Sequence, residues 1–182
     1  MTTIPRRADL LALAALLLLA GCGTNRYYIS ILSSSQNDLL KQEAIQYFGE
    51  HCVKRAVPVL SRVALDKSQS IDIRRKAVWA LAQIRDAKAT KDLLPLAAEK
   101  EMVPNLLVLF ANTKSKDSVP LLIEMAATPG DVQLAVIWAL GKIGDKRAVP
   151  ILTRLSKDAD KYVVYNATQA LKRIRYAEYG GL

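Results

Sequence analysis

From residue 38 to residue 176 the apolar positions recur three and four residues apart, the repeat of one helix face and not of a strand. Ala77, Val78, Leu81 and Ile84 make one such stripe, and Val136, Ile137, Leu140 and Ile143 make another. Aligning the stripes gives a column of Phe48, Leu81, Phe110, Leu140 and Leu171, with successive gaps of 33, 29, 30 and 31 residues. A second set of helices fits between them, over residues 55–66, 89–99, 117–127 and 147–157. These carry Pro58, Pro95, Pro120 and Pro150, since a proline in the first helical turn gives up no intrahelical hydrogen bond. Asp72, Asp131 and Asp160 precede three of the column helices, where an N-cap acceptor belongs. Each helix pair has an apolar face that only its neighbours can cover, so the pattern predicts an all-α stack of four to five helical hairpins.

Words repeat as well as periods. Lys54-Arg55-Ala56-Val57-Pro58 recurs as Lys146-Arg147-Ala148-Val149-Pro150, and Trp79-Ala80-Leu81 recurs as Trp138-Ala139-Leu140. The stretch from Val132 to Pro150, with its Ala-Leu-Gly-Lys-Ile-Gly-Asp run, resembles HEAT-like repeats, the short bacterial type also found in phycobilin lyase subunits. The resemblance covers residues 38–176 and implies a right-handed α-α superhelix whose second helices line the inner surface, with residues 177–182 as a tail. The middle repeat, Glu101 to Lys116, departs from the pattern: Asn112-Thr113-Lys114 stands where Gly-Lys-Ile-Gly is expected.

The beginning of the chain has a different character. Arg6 and Arg7 precede an uninterrupted Leu/Ala run from Leu10 to Ala20, the length of a signal-peptide core and too short to span a bilayer. Leu19-Ala20-Gly21-Cys22 resembles the bacterial lipobox. That resemblance implies cleavage of residues 1–21, diacylglyceryl modification of Cys22, and a place in the cell envelope. Gly23 follows the cysteine with no Asp there, which favours the outer membrane facing the periplasm. Residues 22–37 read as a tether ending in a Ser run, although Tyr27, Tyr28, Ile29, Ile31 and Leu32 offer an alternative in which they dock on the first helix pair.

Composition narrows the chemistry. The net charge is +9, and removing Arg6, Arg7 and Asp9 with the signal leaves +8. The basic residues are dispersed, which fits a solvated surface; Lys172, Arg173 and Arg175 are candidates for contacts with anionic lipid, and an exported domain is not expected to meet nucleic acid. With Cys22 lipidated, Cys52 has no partner and is expected to be a buried thiol near a helix end. His51 is the only histidine, so no multi-histidine metal site can be built. It neighbours Cys52, but adjacent helical residues point about 100° apart, so it reads as a surface or capping residue. Deoxyhypusine hydroxylase, a HEAT-like enzyme with paired His-Glu motifs, has no counterpart here, because Glu50-His51 occurs once and in reverse order. The expectation is a protein without catalysis or cofactor.

What remains is a surface. Two residues before the column, a position that faces solvent in the resembling family, the chain reads Gln46, Trp79, Val108, Trp138 and Gln169. Tryptophan is enriched where interfaces concentrate their energy. The row predicts a groove for a protein or peptide, anchored by Trp79 and Trp138 with Val108 between them and rimmed by Lys76, Gln83, Lys142 and Lys172. The competing reading packs both tryptophans into the core. A monomer is expected, and the alternative role is that of an accessory subunit to an envelope enzyme in the manner of bilin lyases.

Overall fold

The computed structural model describes residues 23–178, so the signal-peptide reading and Cys22 lie outside the described residues. Among the described residues the regular elements are ten α-helices and four 3-10 segments. They pair into five hairpins. α1 (Gly23–Ser34) pairs with α2 (Asp38–Glu50), and α3 (Val57–Leu65) with α4 (Ile71–Ile84). α5 (Lys88–Leu93) precedes α6 (Val103–Thr113), α7 (Val119–Ala127) pairs with α8 (Gln133–Ile143), and α9 (Val149–Leu155) with α10 (Lys161–Glu178). Successive even helices pack on one another more extensively than successive odd helices do, so the even layer lies on the inner side of a solenoid.

The column forms the spine. Phe48, Leu81 and Leu140 are 0 % exposed and Phe110 is 1 %. Leu171 is only half-buried, because α10 is the last described helix and packs on one even helix, α8, where the internal helices pack on two.

Of the two readings of residues 22–37, docking holds for the described part and the tether does not: Gly23–Ser34 is the first half of hairpin one. Ile31 and Leu32 are buried, and Tyr27, Tyr28 and Ile29 pack against the core. Tyr and Ser are indifferent helix formers, so propensity conceals this helix and burial decides it. The Ser run ends it: the Ser33 and Ser34 hydroxyls donate to the Ile29 and Ser30 carbonyls at 2.9 and 2.8 Å. Asn37 then caps α2, its side-chain oxygen accepting from the Leu39 and Leu40 amides.

Two further expectations are corrected. The helix predicted over 89–99 is broken into α5, a 3-10 segment Leu94–Ala98 and another at Lys100–Met102. Pro95 has no amide to donate and its ring crowds the carbonyl four residues back, so the α-helix cannot run through it; Pro58, Pro120 and Pro150 open α3, α7 and α9 as predicted. Of the three aspartates, Asp160 alone caps, accepting from the Tyr162 amide at 2.7 Å. Ser70 caps α4 with Asp72 in the first turn, and α8 has no side-chain cap.

The turns out of the even helices share one backbone solution. Cys52, Arg85, Lys114 and Gly144, each four residues past the column, are left-handed with φ of 50°, 57°, 50° and 77°. Only the last is the glycine that this conformation favours. One residue past the column the chain keeps small residues, Gly49, Ala82, Ala111 and Gly141. A Cβ on Gly141 would stand 2.7 Å from the Ala170 Cα, so hairpins four and five are spaced by that missing methyl.

Buried polar groups tie the hairpins together. Arg74, 6 % exposed, donates to the Ala64 carbonyl at 2.9 Å and grips both oxygens of Glu99 at 3.0 and 2.8 Å. The same position holds Lys41 in hairpin one, donating to Gln69 at 2.6 Å, and Gln133 in hairpin four, donating to the Ala126 carbonyl at 3.0 Å.

Candidate functional site

The five predicted residues occupy one position on five successive even helices, so they form a row across the inner face. Trp79 and Val108 are each 37 % exposed, Gln46 is exposed, and Trp138 and Gln169 are half-buried. The tryptophans therefore follow neither extreme: each has one side packed and one side open. The Trp79 ring lies over Gly49, where a Cβ would come within 2.8 Å of it, so the lack of a side chain on α2 makes its seat.

Trp79 stands as a ridge between two depressions. One, of about 320 Å³, is lined by Gln42, Ile45, Gln46, Glu50 and Lys76. The other, of about 310 Å³, is lined by Asp72, Arg75, Lys76 and Asn105. Lys76 belongs to both and donates to Gln42, while the Arg75 guanidinium and Asn105 are bonded at 3.4 Å. Apart from Trp79 and Ile45 the two depressions are lined by polar and charged side chains of both signs, suited to a peptide whose backbone and side chains offer donors and acceptors together.

Of the predicted rim, Lys76 and Lys142 are exposed and Gln83 is half-buried. Lys172 is exposed, but it occupies the position that Gly49, Ala82, Ala111 and Gly141 hold in the other hairpins, facing along the stack. It lies at the end of the described solenoid, apart from the row.

The sequence reading missed four apolar residues, one of them Leu39, 70 % exposed and nine residues before Phe48. Leu134 is 38 % exposed, Tyr162 61 % and Tyr165 64 %. Leu134 and Tyr165 both sit six residues before the column, and Tyr162 nine before, so reading further rows from the same alignment finds them. The Lys161 ammonium lies 5.3 Å from the Tyr162 ring centroid. Apolar residues thus recur along the inner face, Leu39 at the first hairpin and Val108, Leu134, Trp138, Tyr162 and Tyr165 further on, with Gln42, Gln46 and Gln169 among them.

The remaining candidate chemistry is structural. His51 is exposed at the end of α2, its Nδ1 2.9 Å from the Tyr47 carbonyl and its ring stacked on Tyr47 at 4.3 Å. Tyr47 continues into Tyr28 at 4.6 Å, and burial pushes the Tyr28 phenol above its ordinary pKa. Cys52, expected to be buried, is exposed at the left-handed turn after α2, its Sγ 3.6 Å from the Gln83 carbonyl of the next hairpin. No group of three or more His, Cys, Asp or Glu among the described residues is placed to hold a metal ion. Two carboxylates are held at about 2: Asp145 by its hydrogen bond from Arg147, and Asp66 by those from Ser68 and Gln69.

The pattern of known proteins agrees with this geometry. The sequence profile described as HEAT repeats matches residues 27–103 and 106–177. No curated protein matches the sequence. Among solved structures, the complex of CpcE and CpcF of phycocyanin lyase from Nostoc sp. PCC7120 is similar at 24% identity and TM-score 0.70, over 86% of this chain and 67% of that one. A designed armadillo repeat protein in complex with the peptide (KR)4 is similar at 19% identity and TM-score 0.62, over 88% and 85%. Computationally designed armadillo repeat proteins for modular peptide recognition are similar at 18% and 0.56, over 86% and 88%. At these identities the likeness is one of fold.

Proposed function

The chain belongs to the HEAT-repeat family, and on that footing we propose that it is a non-enzymatic binding module, held at a membrane in the cell envelope by a lipid on Cys22, that takes a protein or peptide on its inner face. The observation that carries this reading is the row of Trp79, Val108 and Trp138, left partly open on an ordered helical floor and extended by Leu134 and Tyr165. Covering the open part of each tryptophan stabilises a complex by on the order of 1–2 kcal/mol. Solenoids of the same fold that hold or recognise peptides are its precedent.

The anchor rests on the sequence: Arg6-Arg7, the Leu10–Ala20 run and Leu19-Ala20-Gly21-Cys22. Among the described residues no helix is long and apolar enough to cross a membrane. The favoured site is the periplasmic face of the outer membrane, with the chain a monomer and no cofactor. A second reading, an accessory subunit of an envelope enzyme, draws on the fold shared with the phycocyanin lyase complex. A chromophore or cofactor retained on purification favours that second reading over the first.

Crosslinking in detergent-solubilised membranes, read by mass spectrometry, tests the proposal. The native protein yields one dominant partner, and Trp79→Ala/Trp138→Ala loses it while remaining folded by circular dichroism. Retention of the same partner by the double variant contradicts the groove. A Cys22→Ser variant that still acquires a lipid, or a native protein that carries none, contradicts the anchor.

A further inference from the structure

The two edges of the solenoid carry opposite charge. The turns between hairpins, each taken with the residue that opens the next helix, hold two basic residues apiece. Lys54 and Arg55 occupy the first and Lys146 and Arg147 the last; Arg85 and Lys88, then Lys114 and Lys116, fill the two between. All eight are exposed, and three carboxylates, Asp86, Asp117 and Asp145, stand among them, the last ion-paired to Arg147 at 2.9 Å. The turns within hairpins, at the opposite edge and counted the same way, hold seven carboxylates, among them Asp66, Glu99, Asp131 and Asp160, against four lysines.

Helix capping accounts for only part of this. A cation near a helix N-terminus opposes the macrodipole, yet the pairs Lys54-Arg55 and Lys146-Arg147 lie immediately before α3 and α9, and α3, α5, α7 and α9 have no acidic residue in their first turns. At the other edge the acids follow the dipole, with Asp38 and Asp72 in the first turns of α2 and α4. Arg85 and Lys114, the C-cap residues of α4 and α6, follow the dipole, so it is the pairs Lys54-Arg55 and Lys146-Arg147 that helix stability leaves unexplained.

The same edge carries the start of the described chain. A three-residue turn makes α1 antiparallel to α2, and the Tyr27–Tyr28–Tyr47–His51 ring contacts fix the beginning of α1 beside the end of α2. α1 begins at Gly23, the residue after Cys22. With neighbouring hairpins spaced by about 8–10 Å, the four cationic pairs form a row roughly 30 Å long running away from that point.

We infer that this edge lies against the anionic headgroups of the membrane to which Cys22 is attached. The inference rests on the anchor reading given above. Acyl chains and basic pairs act as two attachment signals of the kind that together give stable membrane binding. The solenoid then stands edge-on, with its inner face opening sideways, parallel to the bilayer, and its acidic edge away from the surface.

The test uses the full lipidated protein reconstituted into phosphatidylcholine vesicles with and without phosphatidylglycerol, with lysine acylation by an impermeant reagent read by mass spectrometry. In anionic vesicles Lys54, Lys88 and Lys116 label about fivefold more slowly than in neutral ones, while Lys67, Lys100 and Lys157 on the other edge are unchanged. Molar salt removes the difference. Equal labelling of both edges in both vesicles, with the protein still held by the bilayer, overturns the inference and leaves the anchor intact. Protein that washes off both kinds of vesicle overturns the anchor and the inference together. Protection of the three lysines by duplex DNA but not by anionic lipid also overturns it, in favour of a nucleic-acid partner.

Discussion

Hairpins three and four show how differently two sequences reach one geometry. Hairpin four has an unbroken odd helix, Gly141 at the close approach to its neighbour and Gly144 in the left-handed turn. Hairpin three has a broken odd helix, Ala111 at the equivalent contact and Lys114 in the same turn. Yet Phe110 and Leu140 are buried alike, and both turns have the same handedness. The solenoid is held by its column and by the backbone path after it. The residues that make a repeat recognisable are one solution to that path among several.

The largest effect falls where the two hairpins agree. Phe110→Ala and Leu140→Ala each cost about 3–5 kcal/mol in urea unfolding, through lost burial and an unfilled cavity. If either costs much less, the column is not the spine. Next comes the contact at which they differ. Gly141→Ala costs about 1–3 kcal/mol, because its Cβ meets the Ala170 backbone. At the matching site in hairpin three the native residue is already alanine, so Ala111→Gly loses only about 1 kcal/mol of helix propensity.

The turn gives a reciprocal pair of smaller changes. Lys114→Gly stabilises by roughly 1 kcal/mol, relieving a left-handed residue that has a Cβ, and Gly144→Ala destabilises by a similar amount. Same-signed effects would show that the two turns are not equivalent. The smallest effect is present at neutral pH and lost in acid. The Asp145 carboxyl sits at about 2 in the folded chain because Arg147 donates to it, against about 4 when unfolded. A lowered folded-state pKa stabilises above pH 4, and that contribution fades as pH falls from about 4 to 2. Asp145→Asn is therefore less stable than the native chain at neutral pH, and the gap narrows by pH 2 in a melting series.

How much of this was legible in sequence follows from the same contrast. The column, the even helices and the fourth hairpin were readable because each local choice there agrees with the fold: helical spacing, Pro150 at a helix start, Gly144 at a helix end. The helix at Gly23–Ser34 was hidden, since its Ser and Tyr content favours no element and only docking of Ile31 and Leu32 stabilises it. The break at Pro95 was not expected, because a proline at a helix start and one inside a helix look alike until the start is known. Cys52 is exposed at a left-handed turn that no glycine announced. In the candidate site, the position of the tryptophan row was legible, but its partial burial was not, because that depends on Gly49 one hairpin away. Tyr162 and Tyr165 were within reach of the alignment and were missed by reading one row only.

The central claim is that the inner face takes a partner, and site-specific photocrosslinking in the intact envelope tests it most directly. A photoreactive residue placed at Val108 lies in the row, and one at Pro120, exposed at the start of α7, lies in the outer layer. The account predicts one discrete adduct from position 108 and none from position 120, with the adduct lost on adding Trp79→Ala/Trp138→Ala. The same adducts from both positions, or an adduct at 108 that survives loss of both tryptophans, would contradict it.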